Sequence, residues 1–579
     1  MNNCTPSLSG LPFRNGGSFH TLGEALDYAA TGATGLNFYS GKGELLERLP
    51  YAQLREQALL LARRMLGAGL KHGDHVAIIA ENEGDFVRSF FACQYAGMVP
   101  APLPLPAALG GKDNYLQHIR RMVESAAATA ALAPTALEGM LLEACAGLKL
   151  VVCGTLAKFD EVAPVSGDLP SPLPDDLAYL QFSSGSTRFP RGVAVTHRAV
   201  LANMGGIAAH GLKIGPQDRC ISWLPLYHDM GLVGFLLTPL TCQISIDYLH
   251  TREFARRPLT WLQLISRNGG TLSYSPTFGY ELCARRAEKM GPENLDLSRW
   301  RAAGIGGDMV RPEPLQKFAD TFAASGFSAK AFVASYGMAE ASLALSFAPL
   351  GEGIRADLID TDRLEREHRA ITPEVDAGRT REFVHCGRIL PGHALEVRDD
   401  FNRPLPERRV GVIYVRGPSL MKEYFGHPEE TAKILSADGW LNTGDLGYQT
   451  DGDIVITGRA KDLIILNGRN IWPQDLEWTA ESEVSALRSG DVAAFAVDGL
   501  GGENVVVLVE CRVVDADARD ALRDEVAGVL RQRHGVEAVV VPVMPRALPQ
   551  TSSGKLSRAK AKMLYLQGAF ELKRATAAS

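Results

Sequence analysis

Apolar positions along this chain alternate between two periods. Residues 51–66 carry them at three- and four-residue spacing, which predicts a helix, and 75–80 is a short unbroken apolar run that predicts a buried strand. Helical spacing returns over 85–96, and 98–105, with its repeated prolines, predicts an extended connection. Residues 177–182 predict a strand running straight into a Ser/Gly loop, after which 200–210 resume a helical pattern. Past residue 385 the runs shorten, with strands predicted at 394–398 and 410–415. Beyond the charged junction Gly458-Arg459-Ala460-Lys461-Asp462, strands at 492–497, 505–512 and 538–543 surround a helix at 516–533. This order predicts an α/β protein with a large region over 1–460 and a small mobile domain over 461–579, the boundary at Lys461.

Length and composition narrow the class. At 579 residues the chain exceeds what one hydrophobic core supports, so at least two domains are expected. A hydrophobic fraction of 46% and a charged fraction of 22% are those of an ordinary globular protein, and a net charge of −6 gives no reason to expect nucleic-acid binding. Nine cysteines without a C-x-x-C pair fit a reducing compartment and buried small apolar positions. No run of about 18 apolar residues suggests a membrane span, and no basic-then-apolar leader opens the chain, so a cytoplasmic location without an integral membrane segment is expected.

Four short strings carry the chemistry. The loop Gln181-Phe-Ser-Ser-Gly-Ser-Thr-Arg-Phe-Pro-Arg-Gly192 offers hydroxyls and backbone N–H groups from Ser183, Ser184, Gly185, Ser186 and Thr187, suited to the β,γ-phosphates of ATP, without the spacing of a P-loop. In Ser335-Tyr336-Gly337-Met338-Ala339-Glu340 a tyrosine ring can stack on adenine, a glycine allows close backbone approach, and a carboxylate can hold the Mg²⁺ that bridges phosphates. Asp445, in Trp440-Leu-Asn-Thr-Gly-Asp445, suits both ribose hydroxyls, with Arg459 completing the nucleotide site. Lys555, in Leu548-Pro-Gln-Thr-Ser-Ser-Gly-Lys555, places a compact ammonium on a flexible stem where charge develops during attack on a phosphorus.

Together and in this order the strings resemble those of the adenylate-forming enzymes that activate carboxylic acids with ATP. The chain is most similar there to the fatty acyl-AMP ligases, through Trp223-Leu-Pro-Leu-Tyr-His228-Asp-Met-Gly-Leu232, Ser275-Pro-Thr-Phe-Gly-Tyr280-Glu-Leu-Cys283, Ala339 where the wider group has Thr, and a long segment before Gly387. That segment, 349–386, is polar, reads as poor in strands, and occupies the place of an insertion that acyl-CoA synthetases generally lack. The resemblance implies two N-terminal α/β sheets with a β-barrel, then a small α+β domain. It also implies adenylation of a medium- or long-chain fatty acid, followed by acyl transfer to an acyl carrier protein or the carrier domain of a polyketide or non-ribosomal peptide synthase, with the insertion restraining the C-terminal domain. Lys461 aligns with the family's hinge, His228 with a residue bordering and gating the acyl pocket, and Gly307 and Asp308 with positions next to the adenine. Met230, Tyr274, Phe278 and Tyr280 are candidates for the apolar tunnel wall.

Arg188 stands where the family has glycine, Arg191 where it has lysine, and Asp308 where it often has glutamate. Two other readings stay open: a medium- or long-chain acyl-CoA synthetase whose insertion only resembles that of the ligases, and, because Arg188 and Asp308 depart from the usual motifs, a nucleotide-binding protein without catalysis. Glu340, Asp445, Arg459 and Lys555 weigh against the second.

Overall fold

The computed structural model describes residues 4–106, 111–182, 191–290, 294–375, 377–466, 469–499, 502–513, 515–551 and 555–570. Its largest element is a nine-stranded sheet. Strands Phe332–Gly337, Ala302–Ile305, Leu272–Ser275, Arg219–Ser222, Ser245–Leu249 and Gly35–Tyr39 run parallel in that spatial order, with antiparallel strands Ala344–Phe347 and Arg388–Ile389 added at one edge and Leu45–Pro50 at the other. Nearly every residue of the parallel strands is buried, as continuous Val/Ile/Leu/Ala runs require when helices cover both faces.

A second, four-stranded parallel sheet has the order Val99–Leu103, His75–Ile79, Ala130–Leu132, Val152–Gly154 and its own apolar cluster. The extended connection expected over 98–105 is therefore a strand. Pro100 and Pro102 lie opposite Val76 and Ile78, and the strand takes the edge position of this sheet, where a missing N–H is tolerated. Strand Leu177–Phe182 pairs antiparallel with Gly192–Thr196 and opens onto the loop over 183–190, which lies outside the described residues. The helix expected over 200–210 is α-helical over His197–Gly206, then widens to a π-helix over Ile207–Gly211, with Leu212 N–H donating to Ile207 O at 2.7 Å.

Strands Ala394–Arg398, Gly411–Arg416, Leu441–Thr450 and Asp453–Arg459 form an antiparallel sheet in chain order. The segment 349–386 departs from the expectation of few strands. Strands Ala356–Asp360 and Thr380–Val384 pair antiparallel, and helix Thr361–Glu367 is capped by Asp360, which accepts from Arg363 N–H at 3.0 Å. Only Ile359 of the first strand is buried, so it carries too little apolar alternation to be read from sequence.

Ile464 opens a separate C-terminal apolar cluster. Strands Val492–Gly499, Gly502–Glu510 and Ala538–Val543 form its sheet, with helices Pro473–Glu483, Ala516–His534 and Arg558–Leu566 around it. No helix among the described residues is long and apolar enough to cross a membrane.

Candidate functional site

The parallel strands of the large sheet end at one rim, and ligands of open α/β sheets bind outside the carboxyl ends of the strands. A cavity of about 530 Å³ lies there. Strand Ala302–Ile305 delivers Gly306, Gly307 and Asp308 to it, Phe332–Gly337 delivers Tyr336 and the turn to Glu340, and the segment after Arg219–Ser222 delivers His228, Asp229 and Met230. The antiparallel sheet contributes Asp445, Arg459 and Lys461, and the C-terminal domain closes the cavity with Gln474, Trp478, Lys555 and Arg558.

On the cavity wall, Tyr336 OH donates to Asp445 Oδ2 at 2.8 Å and Arg459 Nε stands 3.2 Å from Asp445 Oδ1. Asp445 is aimed by a tight turn. Gly444 adopts φ +72°, Asn442 Oδ1 accepts from its N–H at 2.9 Å, and Thr443 Oγ1 accepts from Asp445 N–H at 3.1 Å. The Asp445 carboxylate raises the Arg459 pKa, while burial, with Arg459 close by, lowers that of Lys461.

The Glu340 carboxylate is partly buried. Burial raises its pKa above the ordinary carboxylate value, and Tyr424 OH, donating at 2.6 Å, partly offsets that rise. Tyr424 in turn lies under Arg191, whose Cζ is 5.3 Å from the ring centroid and whose Nη2 is 2.6 Å from Glu430. A half-buried carboxylate at the cavity wall is an oxygen donor of the kind a hard divalent cation takes alongside phosphate oxygens. This donor set therefore fits Mg²⁺ held jointly with a nucleotide.

Also lining the cavity, His228 Nδ1 lies 2.5 Å from Asp229 Oδ1, out of hydrogen-bond alignment. Burial raises the Asp229 pKa, but His228, Lys555 and the Met230 N–H, which donates at 2.8 Å, lower it further, to a net value below that of an ordinary Asp. A β-carbon built on Gly307, at φ +82°, would lie 3.4 Å from Lys555 Nζ and 3.1 Å from Met230 Cε, so the ammonium and the thioether both border this glycine. Gly337 is glycine for another reason than ligand approach, since its β-carbon would meet the Leu343 carbonyl oxygen at 1.9 Å.

The cavity continues into an apolar branch lined by Ile207, Leu212, Phe235, Leu343 and Phe347. Two π-helices, Ile207–Gly211 and Met230–Leu237, flank it. The four aromatic and thioether candidates for its wall divide here. Met230 and Tyr274 line the cavity. Tyr280 does not: it is 0% exposed within an aromatic cluster with Trp261, Trp300 and Phe318, its OH donating to Gly304 O at 2.9 Å. Phe278, 41% exposed and edge-on to Trp223, also stays outside it. Ser183, Ser184, Gly185, Ser186 and Thr187, with Arg188, lie outside the described residues. Tyr424, Trp478, Arg558 and the apolar branch escaped the sequence reading. Only Arg558 stands near a motif, three residues past Lys555.

The AMP-binding enzyme family profile matches residues 36–425. A Caulobacter vibrioides protein, whose name provisionally sets it among the acyl-CoA synthetases, is 58% identical over 95% of this chain and 96% of its own. The medium-chain-fatty-acid–[acyl-carrier-protein] ligase JamA of Moorena producens is 32% identical over 96% of both chains. A solved structure from work on fatty acyl-adenylate ligases of E. coli and L. pneumophila is 44% identical, with a TM-score of 0.92 over 96% of this chain and 100% of that one.

Proposed function

The chain belongs to the AMP-binding enzymes and is an adenylate-forming ligase, and from that premise we propose that it activates a medium- or long-chain fatty acid and loads it onto an acyl carrier protein in the cytoplasm. The observation that carries the reading is that the Lys555 ammonium, beside Gly307, lines the same cavity as the Asp445–Arg459 pair and the apolar branch.

In the first step a fatty-acid carboxylate oxygen attacks the α-phosphorus of ATP, an acyl–O–P bond forms, and the bond to the β-phosphate breaks to release pyrophosphate. Lys555 stabilises the negative charge shared by the incoming oxygen and the phosphoryl oxygens. Asp445 and Arg459 hold the ribose, Tyr336, Gly337, Gly307 and Asp308 border the adenine, and Ser183 to Thr187 hold the outer phosphates. Glu340 would hold Mg²⁺, which neutralises phosphate charge. His228 borders the carboxylate, and Met230, Tyr274 and the apolar branch receive the alkyl chain.

In the second step a phosphopantetheine thiol sulfur attacks the acyl carbon, the thiol gives up its proton, and AMP leaves. Lys555 is needed only in the first step, so the C-terminal domain turns about Lys461 between them. JamA, a full-length relative, is named for a carrier-protein acceptor, which supports the same acceptor here. The segment 349–386 grips the C-terminal domain through Glu365 to Arg469 at 2.7 Å and through Arg381 to Asp475, which supports its acting as a brake on the arrangement that admits free coenzyme A.

The test is to incubate the protein with Mg-ATP and a series of fatty acids, adding either coenzyme A or a phosphopantetheinylated carrier protein, and to identify products by mass spectrometry. Acyl-AMP and acylated carrier with little acyl-CoA is the expected result. Abundant acyl-CoA would favour the synthetase reading that the Caulobacter relative's name suggests, and no adenylate with any acid would leave the inactive one.

A further inference from the structure

Helix Pro473–Glu483 presents Trp478 to the cavity, one turn beyond Gln474. Two guanidinium groups from outside the C-terminal domain stand over its ring. Arg311, in the loop that begins at Gly306, has its Cζ 5.4 Å from the ring centroid, and Arg381, from strand Thr380–Val384, has its Cζ 5.2 Å away. Arg311 is fixed independently, donating to Ser489 Oγ at 3.0 Å. Arg381 also lies 4.3 Å over Phe383 and meets the Asp475 carboxylate, while its Nε and Nη2 have no hydrogen-bond partner. A buried guanidinium so short of acceptors is held by charge and by ring faces, so its seat depends on Trp478 as much as the ring depends on it.

The same helix carries Glu477, whose carboxylate accepts from Arg558 Nε at 2.7 Å and Nη2 at 2.5 Å. Arg558, the first residue of helix Arg558–Leu566, stands three residues from Lys555, whose carbonyl oxygen accepts from Thr551 N–H at 2.7 Å. Gly307, which borders the Lys555 ammonium, and Arg311, which stands over Trp478, belong to one loop. One body thus meets the C-terminal domain at two linked points, the ring and the ammonium.

We infer that Trp478, held by Arg311 and Arg381, is a positioning residue for adenylation, setting where Lys555 stands through helix Pro473–Glu483 and the Glu477–Arg558 pair. This rests on the adenylation role proposed for Lys555. This contact matters only while the lysine is in use, so its loss slows one half-reaction and not the other.

The test uses full-length Trp478→Ala, Trp478→Phe and Arg381→Gln beside the parent protein. Acyl-AMP formation is measured with Mg-ATP and dodecanoic acid, and transfer with prepared dodecanoyl-AMP and a phosphopantetheinylated acyl carrier protein. Trp478→Ala is expected to lose roughly ten- to a hundred-fold in kcat for adenylation, with KM values within about two-fold. Trp478→Phe, which keeps an aromatic face, should recover most of the rate, and transfer should be unchanged or faster in all three. Wild-type adenylation in Trp478→Ala, equal loss of both half-reactions, or equal impairment by Phe and Ala would overturn the inference. Should Trp478→Ala fail to fold, Arg381→Gln, which leaves the ring in place, decides by the same split. A parent protein that adenylates no fatty acid would fell the proposed function as well, whereas an active parent with indifferent variants fells this inference alone.

Discussion

Lys555 and Glu340 are single charges whose surroundings decide what each can do. Replacing Lys555 by Ala is expected to cut acyl-AMP formation by roughly a hundred-fold or more while sparing transfer from preformed acyl-AMP, measured as the two half-reactions separately. Glu340 gives a pH prediction. Its carboxyl must be ionised to hold a cation and burial raises its pKa, so activity should rise with pH across an acid limb displaced upward from an ordinary glutamate. Tyr424→Phe removes the hydroxyl that lowers this pKa. The limb should therefore move to still higher pH, with a stability loss of about 1 kcal/mol from the lost hydrogen bond; an unmoved pH–rate profile would count against the role given to Glu340. Residues such as His228, Glu340, Asp445 and Lys555 were legible because each sits in a short string whose glycines and hydroxyls announce a shaped turn. Tyr424 and Trp478 were not, because they reach the cavity from far along the chain without a local pattern. Tyr280 and Phe278 show the converse: an aromatic at helical spacing marks a helix face, and only packing tells which face meets a cavity and which meets the core.

At the scale of elements, helix Pro473–Glu483 stores a pH-dependent cost. Glu481 follows Glu477 by four residues, the spacing at which like charges repel along a helix, and burial, with Glu477 beside it, raises its pKa to about 8. Its folded pKa lies above its unfolded one, so the stability it contributes is present below the ordinary glutamate pKa and is lost as pH rises through about 8. Glu481→Gln keeps an oxygen to accept from Gly490 N–H, now 2.7 Å away. Its melting temperature should therefore gain on the parent between pH 5 and about pH 8 and then hold that lead, and parallel pH curves would refute the assignment. Long periodic elements were the legible ones. The predicted helix over 51–66 is found at Tyr51–Gly67, and the strand at 394–398 is found as Ala394–Arg398. What sequence hid was the hairpin of 349–386, where strands Ala356–Asp360 and Thr380–Val384 bury only Ile359, Phe383 and Val384 among their ten residues. The edge strand Val99–Leu103, whose prolines look like a linker until its partner is known, was hidden too.

At the scale of the whole molecule, the same hairpin region joins three parts of the protein. Ile359, Leu364 and Phe383 from it, Tyr448 and Val455 from the antiparallel sheet, and Trp472 from beyond Lys461 form one apolar cluster. Truncating Trp472 to Ala should cost about 3–5 kcal/mol if the site cannot collapse and should speed proteolysis near Lys461; an unchanged cleavage rate would argue that Trp472 does not anchor the domain. Deleting 349–381 is expected to raise any acyl-CoA formation in a variant that still folds, and an unchanged product ratio would remove the brake. The cavity itself has walls from both sides of the boundary, Asp445 and Glu340 on one and Gln474, Trp478 and Lys555 on the other. A ligand that touches both walls and the docking of one wall against the other are thermodynamically linked. By reciprocity, whatever factor domain docking adds to nucleotide affinity, the nucleotide must add to docking, so filling the cavity and seating the domain are two measurements of one coupling free energy.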